Sequence, residues 1–95
     1  MTKTDVLSRR NDILLLARQH GATSIKIFGS VVRGEEQPNS DVDFLVQMEK
    51  ERSLFDMGGL LMDLQNLLGC TVDVVSENGL RPRIKDHVLR EAMPI

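Results

Sequence analysis

Two aspartates stand inside an otherwise apolar run, Asp41-Val42-Asp43-Phe44-Leu45-Val46. Residues two apart on a β-strand point to the same face. A strand here therefore presents both carboxylates together, with Cα atoms about 6.5–7 Å apart. At that spacing two carboxylates can converge on one or two hard cations held by oxygen; without a cation they repel each other. A third carboxylate, Asp73, lies between Val72 and Val74, inside another β-branched run where local propensity disfavours it. Taken singly, Asp-x-Asp is also what a strand entering solvent looks like, and Asp73 alone fits the solvent face of an edge strand.

The rest of the chain sets these strands among helices. Val6 to Ala17 carries a helical apolar stripe within Asp5–Gln19, with Thr4 or Asp5 as the cap and Gly21 as the stop. Ser24–Phe28 reads as a strand, Val31–Gly34 as a brief helical turn and Glu35–Ser40 as a polar loop. Asp41–Met48 is the second strand. Leu54–Leu68 is a helix that Gly58-Gly59 weakens, with room for a kink. Thr71–Ser76 is the third strand, Asn78-Gly79 a turn, and a final helix from Pro82 to about Ala92 stops before Pro94. Alternating strands and helices predict an α/β (α+β) layer structure, a small mixed sheet with helices packed on it. At 95 residues, without a linker or repeat, residues 1–95 are expected to form a single domain with a modest core.

Between the first two strands, Gly29-Ser30 allows the backbone to approach a phosphate. The Ser30 hydroxyl and the amides at the start of the following turn can hydrogen-bond a triphosphate. Arg33, one turn on, is placed to neutralise phosphates; the alternative is that it anchors the loop through acidic neighbours. Three carboxylates on neighbouring strands are compatible with a two-metal site, in which paired Mg²⁺ ions could stabilise both the attacking and leaving oxygens of a phosphoryl displacement.

Gly29-Ser30, ten residues, then Asp41-Val42-Asp43 resembles the signature of the nucleotidyltransferase superfamily that includes DNA polymerase beta. The short length and the segment Gly29-Ser30-Val31-Val32-Arg33-Gly34 are most similar to the minimal nucleotidyltransferase (MNT) proteins, and the resemblance covers nearly the whole chain. It implies a minimal polymerase-beta-like fold and the antitoxin half of a HEPN–MNT toxin–antitoxin pair. The implied activity is Mg²⁺-dependent transfer of AMP from ATP to a tyrosine hydroxyl of the HEPN ribonuclease toxin, in a hetero-oligomer. Asp41 and Asp43 would hold the metals. Asp73 would complete the metal site and help deprotonate the attacking hydroxyl. Gly29, Ser30, Arg33 and Ser40 would form the nucleotide-binding set. Two other readings remain beside it: a non-catalytic antitoxin that works by occlusion, and nucleotidyl transfer to an RNA or small-molecule acceptor.

Composition narrows these. With 12 Lys and Arg against 14 Asp and Glu, and neither Trp nor Tyr, the chain lacks both the basic excess and the stacking platform of a nucleic-acid binder. No direct nucleic-acid contact is expected. A lone cysteine and the lack of a long apolar run point to a cytoplasmic protein with no membrane contact. Cys70 reads as a small buried hydrophobe, and His20 as a partner of its own helix's last carbonyls. His87 has no ligand-spaced neighbour for zinc. Met48, Met57, Met62 and Met93 read as core. Arg81, Arg83, Lys85 and Arg90 form a solvated basic face.

Overall fold

The computed structural model describes residues 1–35, 37 and 41–95. The chain runs α1 (Lys3–Ser8), α2 (Arg10–Gln19), β1 (Ala22–Phe28), α3 (Ser30–Arg33), β2 (Val42–Met48), α4 (Leu54–Leu68), β3 (Val72–Ser76), a 3-10 turn (Glu77–Gly79), α5 (Pro82–Glu91) and β4 (Met93–Pro94). Among the described residues the strands form one mixed sheet in the order β3-β2-β1-β4. β1 pairs antiparallel with both β2 and β4, and β2 pairs parallel with β3. The parallel pair requires a crossover, which α4 supplies.

Alternation along the strands builds the core. Ile25 and Ile27 of β1, Val42, Phe44 and Val46 of β2, and Val72 of β3 are buried against Ile13 and Ala17 of α2 and Leu60, Leu64 and Leu68 of α4. Each of these side chains other than Ala17 contributes about 1.5–3 kcal/mol of burial. Leu45, of opposite parity on β2, is buried as well, as is Val88 of α5. Met48, Met57 and Met93 pack on the core as expected, whereas Met62 is 63% exposed.

The first helical segment is two helices rather than one. Thr2, not Thr4 or Asp5, is the cap: its hydroxyl accepts from the Asp5 amide at 3.1 Å while the Asp5 carboxylate accepts from the Thr2 amide at 2.9 Å. That reciprocal box starts the helix two residues early, and the chain turns at Arg9, whose ψ of 17° leaves the helical range. α4 follows its predicted bounds and is continuous through Gly58-Gly59. Gly59 serves the packing instead of a kink. A Cβ there would stand 2.8 Å from the His20 ring. His20 in turn reaches across to α4, its Nε2 lying 2.6 Å from Asp63 Oδ2, rather than turning back to its own helix end. α5 ends before Pro94 as expected, and Met93 and Pro94 then pair with Ile27 and Lys26 as an added edge strand. Pro94 is tolerated there because an edge strand does not need its missing N–H.

Candidate active site

The register of the sheet lines up three residues side by side. Phe28 of β1 pairs with Asp43 of β2, and Asp43 pairs with Asp73 of β3. Asp41 precedes β2 by one residue and shares the parity of Asp43. The sheet therefore brings all three predicted carboxylates to one end, on the edge where β1 gives way to Gly29. Asp43 is half-buried, whereas Asp41 and Asp73 are exposed, Asp73 on the edge strand β3.

Gly29 has φ of 79° and ψ of −152°, a backbone that side chains rarely adopt. A Cβ at this position would fall on Oδ2 of Asp43. Glycine is thus required twice, for the turn and for the close approach of the Asp43 carboxylate. Ser30 opens α3 and is half-buried; Arg33 closes it and is exposed. Ser40 lies outside the described residues.

The charges interact. Burial first, then the like charges of Asp73 and Asp41, push the Asp43 carboxyl up to about 6, against a smaller opposing pull from Arg33. The cluster thus carries more negative charge than its own surroundings neutralise. Among the described residues no three Asp, Glu, His or Cys side chains are gathered tightly enough to cage a metal. An all-oxygen set of this kind suits Mg²⁺, which is held by one or two carboxylates together with substrate phosphates rather than by a complete protein cage. The donor chemistry fits a hard divalent cation, which Asp41, Asp43 and Asp73 would hold only together with substrate oxygens.

One residue here was not singled out by sequence. Glu91, last in α5, accepts a hydrogen bond from the Gly29 amide at 2.6 Å. It also receives Arg33 Nη1 on both oxygens, at 2.9 and 2.8 Å. Glu35 takes Arg33 Nε at 3.0 Å. Burial alone would raise the Glu91 carboxyl, but the Arg33 and Gly29 bonds outweigh it and hold it below the usual range. The bonds to Glu35, then Glu91, raise the Arg33 guanidinium further. Arg33 is thus anchored through acidic neighbours, and that anchor holds its guanidinium beside the Gly29 turn. The sequence signal was only the anchoring alternative for Arg33, since nothing local ties position 91 to position 29.

Elsewhere, Cys70 packs partly buried against the core, and burial pushes its thiol up, away from reactivity. Arg81, Arg83 and Arg90 are exposed and Lys85 half-buried. An open concavity of about 430 Å³, lined in part by Met48, Ser53, Leu54 and Ser76, lies at the opposite end of β2 from Asp43.

A small mixed sheet with an Asp-x-Asp strand, a facing Asp and a Gly-Ser turn defines the minimal nucleotidyltransferase class. The polymerase beta nucleotidyltransferase family matches residues 11–95, and the chain belongs to that family and is a nucleotidyltransferase. A solved structure described as a "putative minimal nucleotidyltransferase" superposes with a TM-score of 0.90 at 46% identity, covering 100% of this chain and 97% of that one. The protein adenylyltransferase MntA of Thermococcus cleftensis is 42% identical over 78 residues, 82% of this chain and 79% of the relative. The fold is also shared with a chain of the solved complex described as tri-AMPylated Shewanella oneidensis HEPN toxin in complex with MNT antitoxin, at a TM-score of 0.70 and 20% identity, covering 93% of this chain and 69% of the matched one.

Proposed function

We propose that this chain is the antitoxin of a HEPN–MNT pair and transfers AMP from ATP to a tyrosine hydroxyl of its HEPN toxin, with Mg²⁺. The observation that carries the reading is the alignment of Asp43 with Asp73, with the Gly29-Ser30 turn packed on the Asp43 carboxylate. The similarity to an adenylyltransferase named MntA supports a protein acceptor. The fold shared with an MNT antitoxin that was solved with an AMPylated HEPN toxin points the same way.

In this reading the Gly29-Ser30 turn and Arg33 hold the triphosphate, and Asp41, Asp43 and Asp73 would hold the divalent cation, without which their like charges would repel the phosphates. The acceptor oxygen attacks the α-phosphorus, and the bond between that phosphorus and the β-bridging oxygen breaks. AMP stays on the acceptor, and pyrophosphate leaves with the electron pair. Asp73 takes the hydroxyl proton. Divalent metal supplies charge neutralisation of the phosphates and a lowered pKa for the attacking hydroxyl. The carboxylates lie on an exposed sheet end, so the partner must bring the acceptor and exclude water. The place of action is the cytoplasm, where a lone cysteine stays reduced. Among the described residues no helix is long and apolar enough to cross a membrane.

Labelled ATP tests the reading. Label in the α-phosphate should pass to the HEPN partner, and label in the γ-phosphate should not. Transfer of γ-label alone, or of neither, would overturn it. The occlusion reading draws on one feature: Leu54 and Phe55, at the start of α4, are 82% and 89% exposed. Such a surface fits a protein partner, and binding through it is compatible with catalysis at the other end of β2.

A further inference from the structure

We infer that Glu91 is a positioning residue for nucleotide binding: it holds the Gly29 turn and the Arg33 guanidinium in the arrangement that receives the triphosphate. The inference rests on the reading above that this turn binds nucleotide.

Position 91 is delivered to the turn by the sheet. In the antiparallel pairing of β1 with β4, Ile27 faces Met93 and Lys26 faces Pro94. Continuing that register by two residues puts position 91 opposite position 29. The short terminal strand thus aims the last residue of α5 at the first residue after β1, across 62 residues of sequence.

The contacts are built to fix two things at once. One Glu91 oxygen accepts from the Gly29 amide, and both oxygens accept from Arg33 Nη1. The Glu91 side chain is only 13% exposed, against 43% for Arg33. An exposed arginine samples many rotamers, and ordering it opposes binding. A carboxylate held from behind by the sheet removes that freedom before the ligand arrives. It also ties Arg33 to the backbone of a turn whose other side touches Asp43, so the guanidinium and the acidic cluster keep a fixed separation. His87, one turn earlier on α5, stands 3.6 Å from the same carboxylate.

The test uses the full-length chain with Mg²⁺ and α,β-methylene-ATP, which cannot release AMP, read by calorimetric titration. Thermal melts of each variant run beside it. Glu91→Ala should bind about tenfold more weakly, the scale of a lost charge-assisted hydrogen-bond pair. Glu91→Gln, which keeps an acceptor oxygen but no charge, should fall between, about threefold weaker. In an Arg33→Ala background, Glu91→Ala should add much less than its own tenfold, because the two act together. A Glu91→Ala chain that melts lower but binds with unchanged affinity would overturn the inference, leaving Glu91 a structural tie alone. Tighter binding would overturn it too, by making Glu91 a competitor for the phosphate site. Should the alanine variant fail to fold, the near-isosteric glutamine decides, and unchanged affinity there overturns the inference. Absence of binding by the wild type removes the nucleotide reading and the inference together. Normal binding by both wild type and Glu91→Ala removes the inference alone.

Discussion

Asp43 is the residue at which the electrostatic cost of the candidate site is concentrated. Burial and the neighbouring Asp73 and Asp41 push its carboxyl up to about 6, from an ordinary 3.8. The folded chain therefore binds the proton more readily than the unfolded chain. The penalty for ionised Asp43 is absent below about pH 4, grows as pH rises through about 6 and is complete above it. Asp43→Asn is expected to raise the melting temperature of the metal-free chain at pH 7.5 and to lose that advantage at pH 4. Mg²⁺ should stabilise the wild type at pH 7.5 more than the variant, and its affinity should fall as pH drops below about 6, where protons compete for the ligand. Melts at the two pH values, with and without Mg²⁺, check all of this. A variant less stable than wild type at pH 7.5 without metal would show that the carboxylate cluster is not under strain.

At the scale of elements, what was readable depended on whether the determining contacts were local. The Asp-x-Asp strand follows from a period of two in six consecutive residues, and α4 from a stripe bounded by Ser53 and Gly69. Both are local patterns, and both stand where the sequence puts them. The break at Arg9 falls in the polar run Ser8-Arg9-Arg10-Asn11-Asp12 and was hidden because Val6 and Ile13 on either side stay about two helical turns apart, while the Thr2 and Asp5 box that starts α1 is a matter of side-chain geometry. The His20–Asp63 bond and the Glu91–Gly29 bond join residues 43 and 62 apart, and no single-sequence pattern records such separations. That the three carboxylates share one end of the sheet was therefore legible, and the residue bonded to the Gly29 turn was not. The role of Gly59 was hidden for the same reason and yields a prediction. Alanine in a helix interior is ordinarily favoured over glycine by about 1 kcal/mol. Here a Cβ would stand 2.8 Å from the His20 ring, so Gly59→Ala should lower stability in urea unfolding. A gain of the full helical increment would mean that His20 moves aside without loss.

At the scale of the whole molecule, the proposed reading divides the work between the two ends of β2. The acidic cluster and the Gly29 turn occupy one end, and the exposed Leu54 and Phe55 lie beyond the other. Replacing Leu54 and Phe55 by Ser should weaken co-purification with the HEPN partner while leaving titration with Mg²⁺ and α,β-methylene-ATP unchanged. Loss of both, or of neither, would contradict that division. The sheet that separates the ends is also what couples the C-terminus to the site, since β4 beside β1 carries Glu91 to the turn. In the proposed reading the Gly29 turn and the acidic cluster would cradle triphosphate and cation, and the partner would bring the acceptor. The measurement that tests this most directly is the intact mass of the HEPN partner after co-expression with the wild type and with Asp41→Asn/Asp43→Asn. Whole AMP increments with the wild type and none with the double variant are predicted. An unmodified partner that the wild type nevertheless binds and silences would contradict transfer, and would leave the aspartates as a nucleotide site without this acceptor.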